Sequence, residues 1–201
     1  MASIVPKLVE IVEHEWQFFG AGQINLDGTS VDGRKEYADG VWQRVGDYWK
    51  FIGGAYANLT GKDRGQPWSA AFVSFCMSEA GAGDNFPYSA GHATYINAAI
   101  RNASGPADAP IIGRQFGDHV LKPGDLIGYW RGGTKVRFDT ARKIGWYQSH
   151  CDIVTEVGQG RAYSIGGNVA NSVTRREVRL KSDGKLTDRS QNWFVVLQNN
   201  M

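Results

Sequence analysis

Apolar residues Ile4, Leu8, Ile11, Val12, Trp16 and Phe19 recur three and four positions apart, which predicts an amphipathic helix over roughly 5–19 that Gly20 and Gly22 stop. The stretch from Gly20 to Lys35 is rich in Gly, Asp and Ser and reads as a loop. A second helical pattern runs through Tyr37, Val41, Val45, Tyr48 and Trp49 and ends at Gly53-Gly54. The segment PWSAAFVSFCMSEAG follows, with Pro67 placed to start a helix and Gly81 to end it; it is the most apolar helix of the chain. From Val120 onward the chain reads as short β-rich runs between turns: DLIGYW, CDIVTEV, RAYSIGG, VTRREVRL and NWFVVLQ, an antiparallel meander. Helices over about 1–105 and strands over about 120–200 predict one α+β domain spanning 1–201, a small antiparallel sheet packed against N-terminal helices.

Composition narrows the function more than the fold. A chain of 201 residues with 42% apolar and 21% charged content is ordinary for one globular domain, but seven Trp and eight Tyr exceed what a plain scaffold needs and suggest an aromatic groove. The net charge of +2 gives no basic stripe for nucleic acid. No run of 18 apolar residues appears, so no membrane span is expected. The start, MASIVPKLVEIVEHEW, has no basic region followed by a continuous apolar stretch, so it is not read as a signal peptide and synthesis in the cytoplasm is expected. Cys76 and Cys151 lack metal-ligand spacing to any His and are expected to be free thiols, with no metal and no cofactor.

Three residues stand where covalent catalysis would need them. Ser69 opens the helix PWSAAFVSFC, where backbone amides and the helix dipole favour a developing negative charge; the plainer reading is a Ser that caps the helix. His150 stands at the start of an apolar strand that would hold its ring rigidly. Asn168 follows a Gly-Gly turn, and a hairpin of CDIVTEV with RAYSIGG would bring it beside His150 to orient the imidazole; Asp152, two residues along and on the same side of the strand, could do the same. Nucleophile, base and polar orienter follow the logic of a catalytic triad. His92 and Tyr95, three apart at a helix start, could face the cleft and position substrate, with Trp68 in the same groove. Cys76 falls in the apolar stripe and Cys151 points away from His150, so neither thiol is favoured; His14 and His119 read as surface residues, and Asp125 as the anchor of a Pro-Gly-Asp turn.

The order of W-x-A-A-F-V on a helix, then P-G-D-L, then H-x-D-I-V, then a G-G-N turn resembles the NlpC-type and CHAP-type cell-wall peptidases, which are papain-like. More closely, PWSAAFVSFCM, AGHATYI, KPGDLIGYW, SHCDIVTEV and GGNVANSVT, with EHEWQFFG and RVGDYW before them, resemble the bacterial domain of unknown function 2272 over almost the whole chain. The resemblance implies a papain-like fold and an amidase or endopeptidase acting on peptidoglycan peptide. This sequence has Ser69 where such peptidases place a cysteine, and a hydroxyl is the weaker nucleophile at neutral pH.

The expectation is therefore a peptidoglycan hydrolase in which Ser69 attacks an amide, His150 moves the proton, and Asn168 or Asp152 fixes its tautomer. It would be delivered to the periplasm or wall of a target cell as an antibacterial effector, or act there at phage lysis, with an immunity protein and a secretion-system component as partners. The rival is a catalytically inactive module that binds wall or protein through the same cleft. A serine esterase ranks last, because Ser69 lies in P-W-S-A-A and not in a G-x-S-x-G elbow.

Overall fold

A computed structural model describes residues 2–201. Among these, five α-helices accompany one eight-stranded, mostly antiparallel sheet, an α+β arrangement. Helix α1 (Val5–Phe18) begins with Pro6 in its first turn, where a missing N–H costs nothing, and buries Leu8, Val12, Glu15 and Trp16. Helix α2 (Val41–Ile52) starts later than the run from Tyr37 predicts, because Gly40 adopts a left-handed conformation (φ 80°) that interrupts the helix. Helix α3 (Ser69–Glu79) has Trp68 as its N-cap and buries eight of its eleven residues, so it runs through the middle of the helical layer. Helix α4 is His92–Asn102 and the short α5 is Ala141–Ile144.

The strands are β1 (Gly22–Ile24), β2 (Ser30–Val31), β3 (Ile111–Gln115), β4 (Leu126–Trp130), β5 (Ser149–Val157), β6 (Arg161–Val169), β7 (Ser172–Arg179) and β8 (Trp193–Asn199). They order as β2-β1-β7-β6-β5-β4-β8-β3. The sheet is thus larger than the five-run meander, and β1 joins β7 in parallel, so part of the segment read as a loop between residues 20 and 35 becomes a sheet edge.

Residues opposite each other in an antiparallel pair share a face. Tyr129 faces His150 and Ile127 faces Asp152 across the β4–β5 ladder. Ile127 and Tyr129 belong to a core cluster with Val154, Ala162, Val178, Trp193 and Val196. Leu126, Cys151, Ile153 and Ile165 belong to the other cluster, which gathers α1 to α4. His150 and Asp152 therefore share one face of β5 while Cys151 takes the other.

Two glycines make this packing possible. A Cβ on Gly166 would lie 2.0 Å from Asp152 Oδ1 and 2.9 Å from His150 Nε2, and one on Gly167 would lie 2.6 Å from Phe72 Cβ and 2.8 Å from Trp68 Cζ3. The bare backbone of β6 thus leaves room for a polar pair near one residue and for α3 near the next. Gly167→Ala is expected to lift α3 from the sheet at a cost of about 1–3 kcal/mol. Thermal unfolding checks this: the midpoint should fall by roughly 5 °C for a chain of this size.

Candidate functional site

Two helix N-termini meet at the centre of the site. Ser69 is the first residue of α3 and His92 the first of α4, and Ser69 Oγ lies 2.7 Å from His92 Nε2. Neither helix has a side-chain cap, so Ser69 does not cap its helix and its hydroxyl is spent on an imidazole. The first amide of α3 bonded within the helix is Phe72, to the Trp68 carbonyl at 3.0 Å. The amides of Ser69, Ala70 and Ala71 precede that bond and sit outside the ladder, as first-turn amides do. His92 Nδ1 pairs with the hydroxyl of Tyr95 one turn on, and Tyr95 is fully buried.

A second imidazole stands beside the first. The rings of His92 and His150 are 5.0 Å apart between centroids. His150 Nε2 donates to Asp152 Oδ1 at 2.9 Å, and Arg176 Nε donates to Asp152 Oδ2 at 3.3 Å. A carboxylate only accepts, so Nε2 carries the hydrogen, and in the neutral ring the lone pair is on Nδ1. That Nδ1 is buried and has no hydrogen-bond partner among the described residues. Tyr129 packs on the same ring at 5.1 Å.

Electrostatics sort these groups. Burial, the neighbouring His150 and Arg131 hold His92 well below the usual histidine range, so it is neutral. Burial alone would push Asp152 up, but the hydrogen bond from His150 and the guanidinium of Arg176 more than offset it, and its carboxyl is held below the usual range. Burial pushes the Tyr95 hydroxyl and both thiols well up, with Glu15 adding to the rise at Cys76 and Asp152 at Cys151. Neither cysteine is thiolate-like, and both are buried and free.

The structure places the expected residues unevenly. Ser69, His92, Tyr95, His150 and Asp152 gather, but the imidazole bonded to Ser69 belongs to His92, which was expected only to position substrate. Asn168 makes no hydrogen bond to His150. The Ile153–Ile165 register, continued regularly, would set it opposite His150, but the β6–β7 ladder is bulged between Gly166 and Val169, and Asn168 itself is left-handed (φ 56°). Asp152 occupies the orienting place instead. Trp68 is not on a groove: it is 1% exposed, packs on Phe19, Tyr48 and Phe72, and donates Nε1 to Glu36 Oε2 at 2.5 Å. His119 lies 2.9 Å from Asp125, whose carboxylate also accepts from the Lys122 amide and so secures its turn. His14 is exposed.

Sequence reasoning missed Arg176. The signal was a cation in VTRREVRL on the same side as the buried Val178, because side chains two apart on a strand share a face. Ser69 and His92 are each only 4% exposed, so an amide carbonyl reaches Ser69 only when the surrounding side chains move. A surface cavity of about 510 Å³ lined by Asp27, Arg161, Tyr163, Glu177 and Arg179 contains none of these residues. Among the described residues, no helix is long and apolar enough to cross a membrane.

Residues 36–199 match the model of a family described as an uncharacterized protein conserved in bacteria, DUF2272. No curated protein and no solved structure matches the chain.

Proposed function

We propose that this chain, which belongs to the bacterial family DUF2272, is a serine-dependent amide hydrolase of papain-like architecture that cuts the peptide of the bacterial cell wall. The observation that carries the reading is the 2.7 Å contact between Ser69 Oγ, at the start of α3, and the buried imidazole of His92. The substrate class rests on the resemblance of W-x-A-A-F-V, P-G-D-L, H-x-D-I-V and G-G-N, in that order, to NlpC-type and CHAP-type peptidases.

Ser69 Oγ attacks the amide carbonyl carbon while its proton passes to His92 Nε2. For Nε2 to accept, Nδ1 must hold the hydrogen and Tyr95 Oη must accept it. The oxyanion forms at the first-turn amides of α3, where the helix dipole also favours negative charge. His92 then passes that proton from Nε2 to the departing amine nitrogen, while His150, aligned by Asp152 and with an unpartnered Nδ1, accepts a hydrogen bond from the amine's N–H. Water then attacks the acyl-serine, one proton returns to Ser69, and one amide and one water have become a carboxylic acid and an amine. An antibacterial effector or a phage lysis enzyme, with an immunity protein in the first case, is the setting that fits this chemistry.

The burial of Ser69 favours a second reading, a non-catalytic module that binds wall or protein. Incubating the protein with purified peptidoglycan and weighing the released fragments separates the two. New amine and carboxyl ends are expected; an intact wall, with the protein bound to it, overturns hydrolysis in favour of the module.

A further inference from the structure

We propose that the loop between β4 and β5 is a cationic lip that captures the carboxylates of an acidic peptide substrate; this rests on the amide-hydrolase reading. Between Trp130 and Ser149 the chain carries Arg131, Lys135, Arg137, Arg142 and Lys143 against a single acid, Asp139. All five cations are exposed, and none takes part in an ion pair among the described residues. Elsewhere Arg44, Arg161 and Arg176 have carboxylate partners. Five like charges carried by one loop, with no ion-pair partner, favour an anion beside them.

The loop is held in place at the candidate site. Val136, Ala141 and Tyr147 anchor it in the core. Asn97 of α4 donates to the Gly145 carbonyl at 2.6 Å and accepts from Tyr147 at 3.0 Å, and the Arg131 amide donates to the Gln148 carbonyl at 2.8 Å. The loop leaves the sheet at the Trp130–Ser149 pair, one residue before His150. Trp146, 73% exposed, lies with its Nε1 beside Gly91, the residue before His92. Arg131 is close enough to His92 to help keep its ring neutral. A substrate carboxylate held at Arg131 lies near His92, and its amide reaches Ser69 once the side chains around that residue move.

Carboxylates of a peptide fit better than the phosphates of a long polyanion. Outside this loop acidic residues outnumber basic ones, so a nucleic acid extending past the lip meets a net repulsive chain. Planar guanidinium groups at Arg131, Arg137 and Arg142 suit bidentate carboxylate contacts, and the open face of Trp146 suits a ring or backbone packed beside them.

The test uses the Ser69→Ala protein, so that binding is read without turnover. A synthetic wall peptide with free carboxylates is titrated against the same peptide with its carboxylates converted to carboxamides. The free-carboxylate peptide is expected to bind about tenfold more tightly, a preference that narrows in high salt and disappears in the Ser69→Ala protein carrying Arg131→Gln, Arg142→Gln and Lys143→Gln. These three residues are exposed, so folding is not at stake, and an unchanged thermal midpoint checks it. Equal binding of the two peptides, no binding of either, a preference that survives the triple substitution, or tighter binding of duplex DNA or of a polyphosphodiester would each overturn the lip. Failure of hydrolysis in the parent protein is read separately, from fragment release.

Discussion

Ser69→Ala is expected to reduce amide hydrolysis about 10³-fold or more, because it removes the atom that would form the acyl intermediate. Among the described residues, Ser69 Oγ hydrogen-bonds to His92 Nε2 alone, so the structural loss is confined to one buried contact, worth about 1–3 kcal/mol when its partner is left alone. Rates of fragment release compared with thermal midpoints separate the two effects. A rate that falls by orders of magnitude in a protein that still melts cooperatively assigns the loss to chemistry. Ser69→Cys offers a conservative check, since a thiol of similar size keeps a nucleophile at the same atom position and is expected to keep measurable turnover.

Asp152→Asn is expected to lower both stability and turnover. Asp152 is fully buried and Arg176 is 6% exposed, so removing the carboxylate leaves a buried guanidinium without its counter-charge, at a cost of about 3–5 kcal/mol. An amide at this place also presents a donor as readily as an acceptor to His150 Nε2, which frees the tautomer that the carboxylate fixes and lowers turnover with it. The pH dependence follows from the directions of the shifts. The carboxyl of Asp152 in the fold lies below its unfolded value, so its contribution is present above about pH 4 and is lost as pH falls through the folded value. His92 is held below its unfolded value as well, so the unfolded chain takes up a proton there first and stability declines as pH falls below about 6.5. Urea unfolding across this range should show both limbs in the parent. The lower one should shrink in Asp152→Asn, while the acid-side contributions of Asp188 and Glu177, also held low, remain.

Much of the architecture was legible because it is written in local periodicity. The 3.6-residue stripe of Leu8, Val12 and Trp16 and the unbroken apolar helix after Trp68 gave α1 and α3 nearly to the residue. The runs from Leu126, Ser149, Arg161, Ser172 and Trp193 gave five strands of the sheet. Strands β1 and β2 were hidden because three and two residues cannot display a period, and their place depends on a parallel partner some 150 positions away. β3 was hidden for a related reason: IIGRQ is short and carries a glycine, and its pairing with β8 is long-range.

The site divides along the same line. Ser69, His92 and His150 could each be singled out from their places at the start of a helix or strand. What the sequence did not show was which of the two histidines meets Ser69, since that depends on α3 and α4 converging N-terminus to N-terminus. Asn168 sits at the correct register for an orienting residue, yet one bulge after Gly166 removes it from the ladder, and no residue pattern announces a bulge of that kind. Trp68 misled because tryptophans serve grooves and cores alike; here it is the aromatic packing of Phe19, Tyr48 and Phe72 that claims it.

The most direct test of the central claim is to treat the protein with a fluorophosphonate, which reacts with activated serines, and to locate the adduct by peptide mass spectrometry. A single adduct on Ser69 is expected, formed far more slowly when His92 is replaced by alanine. Labelling at another serine, or a rate at Ser69 that is indifferent to His92, would contradict it.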